Sequence, residues 1–359
     1  MKNWIVALVL SAGVTAHAAS NQEIINNVAV NVITQTYKDL ASHAADLKAK
    51  VDAFAQAPTE ENLAVARQAW RDTRVPWEAS EAFLFGPVEG LGLDPMMDTW
   101  PLNKLDLDAV LASNRNLTPD FVRGLGTNVQ GFHTIEYLLF GDGVNGPNKA
   151  LAAFNVKQLQ YLQATSTLLA EYTGRLAFAW TNNYDPENPS APGYMEIIRN
   201  PNMRNPVYTS ERAVLEELIR GMMGIADEVG TGKLSDPMGG DIHAANPALV
   251  ESPFAWNSLT DFAYNIRSIK SVYTGAYGTT QGAGIRDFVA DRDPALAAKV
   301  DAKIDSCIAL ILDIAGPNKM DFRQAISDPA GRARTNTAIA ALGELHLMLQ
   351  DQVLPLLDQ

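Results

Sequence analysis

Apolar residues recur at steps of three and four along almost the whole chain, and the every-other alternation of a half-buried strand is scarce. The clearest case is Ile33, Tyr37, Leu40, Ala44, Leu47, Val51 and Phe54, whose 4-3-4-3-4-3 steps put all seven on one helical face. The same pattern predicts helices over residues 60–85, 131–140, 155–180, 211–229, 253–277, 293–314 and 332–357, with short ones near 106–112 and 119–125. The fold class that follows is all-α. At 359 residues and 47% hydrophobic residues, the chain can build more than one core. Pro and Asn are dense between Asn182 and Ser210, which makes that stretch the best boundary. The halves on either side echo one another: each has long helices, a long polar connection and a charged helix ending in aromatic-Gly (Phe85-Gly86 and Tyr277-Gly278). Two helical bundles in series are expected, 19–181 and 182–359.

Residues 1–18 read as an export signal, with Lys2 as the charged start, an apolar run from Trp4 to Leu10, and Ala16-His17-Ala18 as the cleavage site. That run is too short to span a bilayer, and no segment of the mature chain is long and apolar enough to do so. Cys307 is the only cysteine, so no lipid-anchor cysteine follows the cleavage site and no intramolecular disulfide can form. The expected destination is the periplasm or cell envelope. A net charge of −13 argues against nucleic acid as a partner and suits cations.

Two polar features interrupt the apolar faces. His133 and Glu136 are three apart, on one side of an otherwise apolar helix, and Gly131 leaves open space beside the histidine. Taken alone, this pair describes a hydrogen-bonded core histidine better than it describes two metal ligands. The helix over 60–85, kinked by Pro76, carries a second stripe of Arg67, Arg71, Arg74, Glu78 and Glu81 among Trp70, Trp77, Phe83 and Phe85. Carboxylates in such surroundings require a partner or a bound cation. Glu78 or Glu81 with His133 and Glu136 makes a nitrogen-and-oxygen set that suits iron or zinc better than copper(I). The chain has no H-E-x-x-H, and the inverted form would need histidine where Tyr137 stands. His43, His243 and His346 lie off this pattern, and Cys307 sits in an apolar run as a buried thiol. No nucleophile elbow, P-loop or dinucleotide fingerprint is present. A Gly-, Pro- and Asp-rich stretch of about 40 residues, including Asp98-Thr99-Trp100-Pro101-Leu102-Asn103, is long enough to be functional.

Gly131-x-His133-x-x-Glu136 matches the G-x-H-x-x-E signature of the imelysin-like proteins. Trp70-Arg71-x-x-Arg74-x-x-Trp77-Glu78-x-x-Glu81-Ala82-Phe83-Leu84-Phe85-Gly86-Pro87 resembles that family too, as do Trp100-Pro101-Leu102 and Ser252-Pro253-Phe254. The group includes an insulin-cleaving metallopeptidase, the iron-regulated protein A type and domains of periplasmic ferrous-iron uptake systems. The resemblance implies two helical bundles with a site at or near their interface, a place in the cell envelope, and iron handling. Carried over residue by residue, it implies a divalent metal ion, iron or zinc, held by His133, Glu136, Glu78 and Glu81. Arg74, Trp77 and Gly131 would support them. The function expected is a periplasmic metal-binding protein of iron uptake or iron-regulated physiology, with envelope iron-uptake components as partners. The alternatives are an envelope metallopeptidase with Glu136 as its base, and a non-enzymatic helical protein that binds a ligand or partner.

Overall fold

The computed structural model describes residues 19–359, so the export signal predicted over 1–18 lies outside the described residues. Eight helices of ten or more residues carry the fold among them: α1 (Gln35–Gln56), α2 (Glu60–Glu78), α3 (Gly131–Phe140), α4 (Val156–Thr181), α5 (Glu211–Asp227), α6 (Ser258–Thr274), α7 (Pro294–Asp313) and α8 (Pro329–Met348). The strands described are a two-residue antiparallel pair, Ala276–Tyr277 with Thr280–Gln281. The all-α expectation holds.

The α1 stripe is buried at every position from Tyr37 to Phe54. Each large apolar side chain of this kind contributes about 1.5–3 kcal/mol on burial. Helix starts follow local chemistry. The Thr59 hydroxyl accepts the Asn62 N–H ahead of α2, and Asn155 and Gln158 form a reciprocal capping pair ahead of α4. Helix α1 packs on α2 and α4, α2 on α3, and α3 on α4; α5 packs on α6 and α8, and α7 on α6 and α8. Helix α2 also meets α6, and Arg74 of the first pairs with Asp261 of the second. The opening segment, Asn21–Asn27, lies against α5, and Asn27 donates to the Gly275 and Ala283 carbonyls. No helix among the described residues is long and apolar enough to cross a membrane.

The structure departs from the periodicity at the end of α2 and in π-helical turns at Val28–Thr34, Glu228–Ser235 and Leu349–Val353. The helix expected to run to Phe85 stops at Glu78, two residues after Pro76, and the chain tightens so that Ser80 N–H and Oγ both donate to the Trp77 carbonyl. Glu81 then begins a separate 3₁₀ turn and leaves the α2 stripe. Residues Glu228–Ser235 wind as a π-helix continuing α5. A wider turn of this kind is invisible to a 3.6-residue pattern and often marks a functional segment.

Candidate metal centre

Helix α2 projects its arginines toward α3 and the 251–257 loop. Arg67 donates to the Leu139 carbonyl at the end of α3 and to the Lys149 carbonyl in the loop after it, and Arg71 to the Ala255 carbonyl and Asn257 Oδ1. Arg74, completely buried, is the hub. Its Nη1 donates to Asp98 Oδ1 at 2.5 Å, and its Nη2 lies 3.0 Å from Glu251 Oε1 and 3.2 Å from Asp261 Oδ2; Glu78, one turn along α2, pairs with it as well. Burial works against the guanidinium charge, but Asp261, Asp98, Glu78 and Glu251 override it and hold Arg74 protonated well beyond its ordinary range.

Asp98 ends the short helix Leu93–Asp98. Its Oδ2 accepts the Trp77 Nε1–H at 2.6 Å. Gly131 holds φ +78°, and a Cβ there would stand 2.1 Å from the Met97 carbonyl oxygen, so only glycine lets α3 start against the backbone that carries Asp98. Gly131→Ala is therefore expected to cost about 2–4 kcal/mol through strain and displacement of 97–98. Denaturant unfolding checks this, and a loss below about 0.5 kcal/mol would show that the backbone gives way freely.

His133 is 1% exposed and its two nitrogens have different surroundings. Nδ1 is 3.0 Å from Glu136 Oε2. The other Glu136 oxygen accepts the Phe254 and Ala255 N–H groups at 2.8 and 2.7 Å. Both Glu136 oxygens are thus engaged, one in fixing the imidazole and one in pinning the 251–257 loop. Nε2 faces the Asp98 carboxylate, 3.1 Å from its Oδ1. The ring edge meets Trp100, with centroids 4.7 Å apart. Burial alone would lower the His133 pKa; Asp98 reverses that and lifts it to about 9.

Two sets of side chains could surround a cation among the described residues: Asp98, His133 and Glu251, and Glu78, Glu81 and Asp98. Within each set the donor atoms lie within 4.8 Å of one another. His133 and Glu136 meet as their spacing implies, but Glu136 sits on Nδ1 and belongs to neither set. Glu78 and Glu81 meet Asp98 rather than His133. Arg74, Trp77 and Gly131 all act on Asp98, a residue that the sequence reading left in a polar stretch.

Glu251, Asp261 and Lys233 were missed as well. Glu251 immediately precedes the Ser252-Pro253-Phe254 motif, which was the available signal; Lys233 lies in a Gly-rich connection that gave none. Its Nζ is 3.1 Å from Glu251 Oε2 and 3.9 Å from both Glu78 Oε2 and Glu81 Oε1.

Five carboxyl groups (Glu78, Glu81, Asp98, Glu251 and Asp261) thus face the basic side chains of Arg74 and Lys233, with His133 beside Asp98. Burial and these basic groups pull the carboxyls in opposite directions. Burial raises Glu78 well above the usual carboxylate range against the pull of Arg74, raises Glu81 to about 8 against that of Lys233, and raises Asp261. Burial acts on Asp98 and Glu251 too, but Arg74 and His133 overcome it for Asp98, Lys233 and Arg74 for Glu251, and both stay below their ordinary values. A divalent ion would add positive charge to the same cluster. The centre borders a cavity of about 520 Å³ whose wall includes Glu81, Asp94, Asp98, Trp100, Lys233 and Glu251.

The family profile for imelysin matches residues 33–349. Iron-regulated protein A of Synechococcus elongatus is 27% identical over 98% of this chain and 91% of its own length. A crystal structure of an iron-regulated protein A precursor from Parabacteroides distasonis superposes with a TM-score of 0.79 at 28% identity, covering 95% of this chain and 96% of that one. An imelysin-like protein from Psychrobacter arcticum shares the fold at 14% identity, with a TM-score of 0.71 over 95% of this chain and 96% of that one.

Proposed function

The chain belongs to the imelysin family, and from that membership and the geometry of the buried centre we propose that it is a metal-binding protein of the cell envelope serving iron uptake or iron-regulated physiology. The observation that carries this reading is His133 Nε2: a buried imidazole nitrogen facing the carboxylates of Asp98 and Glu251, with its other nitrogen held by Glu136. A carboxylate behind a ligating histidine is the usual outer-shell arrangement that fixes ring orientation. Asp98, His133 and Glu251 would hold the ion, Glu136 would orient the imidazole, and Arg74 and Trp77 would position Asp98. The ion would add positive charge to the five carboxyl groups. One nitrogen and carboxylate oxygens suit iron(II), zinc or manganese. Iron is favoured by the iron-regulated name of the relatives, and the envelope by the signal-like residues 1–18. In this reading residues 19–181 and 182–359 are two bundles, and the centre draws Asp98 and His133 from the first and Glu251 from the second.

Metal-depleted protein titrated with Mn²⁺, Zn²⁺ and, anaerobically, Fe²⁺ is expected to take up about one ion per chain by elemental analysis. His133→Ala and Glu251→Gln should abolish uptake, and Glu136→Gln should weaken it about 10–100-fold as a change behind the ligand. The reading fails if the unmodified protein retains no ion, or if His133→Ala retains as much.

A further inference from the structure

The geometry points to Lys233 as the resident cation of this centre: its ammonium holds the Glu251 oxygen that a metal ion needs, and a divalent ion loads by exchanging with it. The inference rests on the metal-binding reading and adds how loading is controlled.

The two Glu251 oxygens are separately taken. Arg74 donates to Oε1 at 3.0 Å, and Lys233 Nζ stands 3.1 Å from Oε2. Arg74 cannot be the group that yields, because it is fully buried and bound to three further carboxylates. Lys233 can. Its side chain, 12% exposed, reaches the cavity wall on a flexible stem, and its ammonium makes one close ion pair. Its other carboxylates, Glu78, Glu81 and Glu228, stand at 3.9–4.0 Å. Glu228 is the exit, because its side chain is 57% exposed and can receive the ammonium at the solvent side. Lys233 also sits on the π-helical turn Glu228–Ser235, so its displacement would couple metal occupancy to a wall of the cavity.

Removing a positive charge next to a divalent ion in a poorly hydrated site strengthens binding. By calorimetry, Lys233→Met is therefore expected to bind Mn²⁺ at least tenfold more tightly than the unmodified protein, and Lys233→Arg, which keeps the charge, to show no gain. A second measurement needs no variant. In the unmodified protein, Mn²⁺ should raise acylation of Lys233 by an amine-reactive reagent at least threefold by mass spectrometry, leaving Lys303 unchanged. Unaltered affinity in Lys233→Met with His133→Ala still abolishing binding overturns the exchange and leaves the metal reading standing. Binding by Lys233→Met alone would show that the lysine blocks the site rather than exchanging with an ion, and overturns the exchange. No Mn²⁺ uptake by either protein overturns both. If Lys233→Met does not fold, the acylation result decides, and unmoved labelling at saturating Mn²⁺ sinks the inference.

Discussion

Arg74→Met is expected to destabilise the protein by about 3–5 kcal/mol, the range found when one partner of a buried ionic cluster is removed. The side chain is completely buried, and the substitution leaves Glu78, Asp98, Glu251 and Asp261 without their shared counter-charge. Methionine fills comparable volume, so the loss reports charge rather than a cavity. Arg74→Lys should be intermediate, because a compact ammonium cannot reproduce a fork that serves Asp98 through Nη1 and Glu251 and Asp261 through Nη2. Urea unfolding at neutral pH checks both variants. An Arg74→Met loss under about 1 kcal/mol would mean that the cluster is neutral without its arginine. The same variant at pH 5, where the freed carboxyls take up protons more easily, should recover part of the loss.

The second large effect is on pH. In metal-free protein, stability is expected to fall as the pH rises from about 6.5 to about 9. The folded-state pKa of His133 is raised, to about 9. Its contribution is therefore fully present below the ordinary histidine value and is lost as the pH passes through the folded value. A rise of this size corresponds to something on the order of 3 kcal/mol. Glu81 adds to the same slope. Its pKa is raised to about 8, so the stability it confers is complete below the ordinary carboxylate range and is lost as the pH rises through 8. Asp98 and Glu251 act in the opposite direction in acid: their pKa values are lowered, and their contribution disappears as the pH drops below the usual carboxylate range. The optimum should lie on the weakly acidic side of neutrality. His133→Gln should flatten the alkaline limb, and a limb of undiminished slope in that variant would assign the effect elsewhere. Saturating Mn²⁺ should flatten it too, because a ligating imidazole must already have given up its proton.

The division between what was readable and what was not follows the range of the interactions. Helix existence is a local property, repeated every three or four residues, and the α1 stripe from Tyr37 to Phe54 is buried as its spacing requires. The Thr59 cap is likewise local. The His133–Glu136 contact was legible for the same reason, since i,i+3 neighbours on a helix meet whatever the rest of the chain does. The use of that contact was not. Glu136 turns its second oxygen to the Phe254 and Ala255 amides, more than a hundred residues away, and so stands behind the histidine. Glu81 was placed on the α2 stripe by a periodicity that the chain abandons after Pro76.

By itself, then, the sequence determined an all-helical protein and the faces its helices bury, and it offered a set of candidate site residues: His133, Glu136, Arg74, Trp77, Gly131, Glu78 and Glu81. The tertiary structure alone decided that these converge on Asp98 and Glu251, and that Lys233 shares their site. The reason is physical. Asp98, Lys233 and Glu251 lie in segments whose conformation is set by what packs against them, and a buried charge takes its partners from whichever elements the fold brings within a few ångströms.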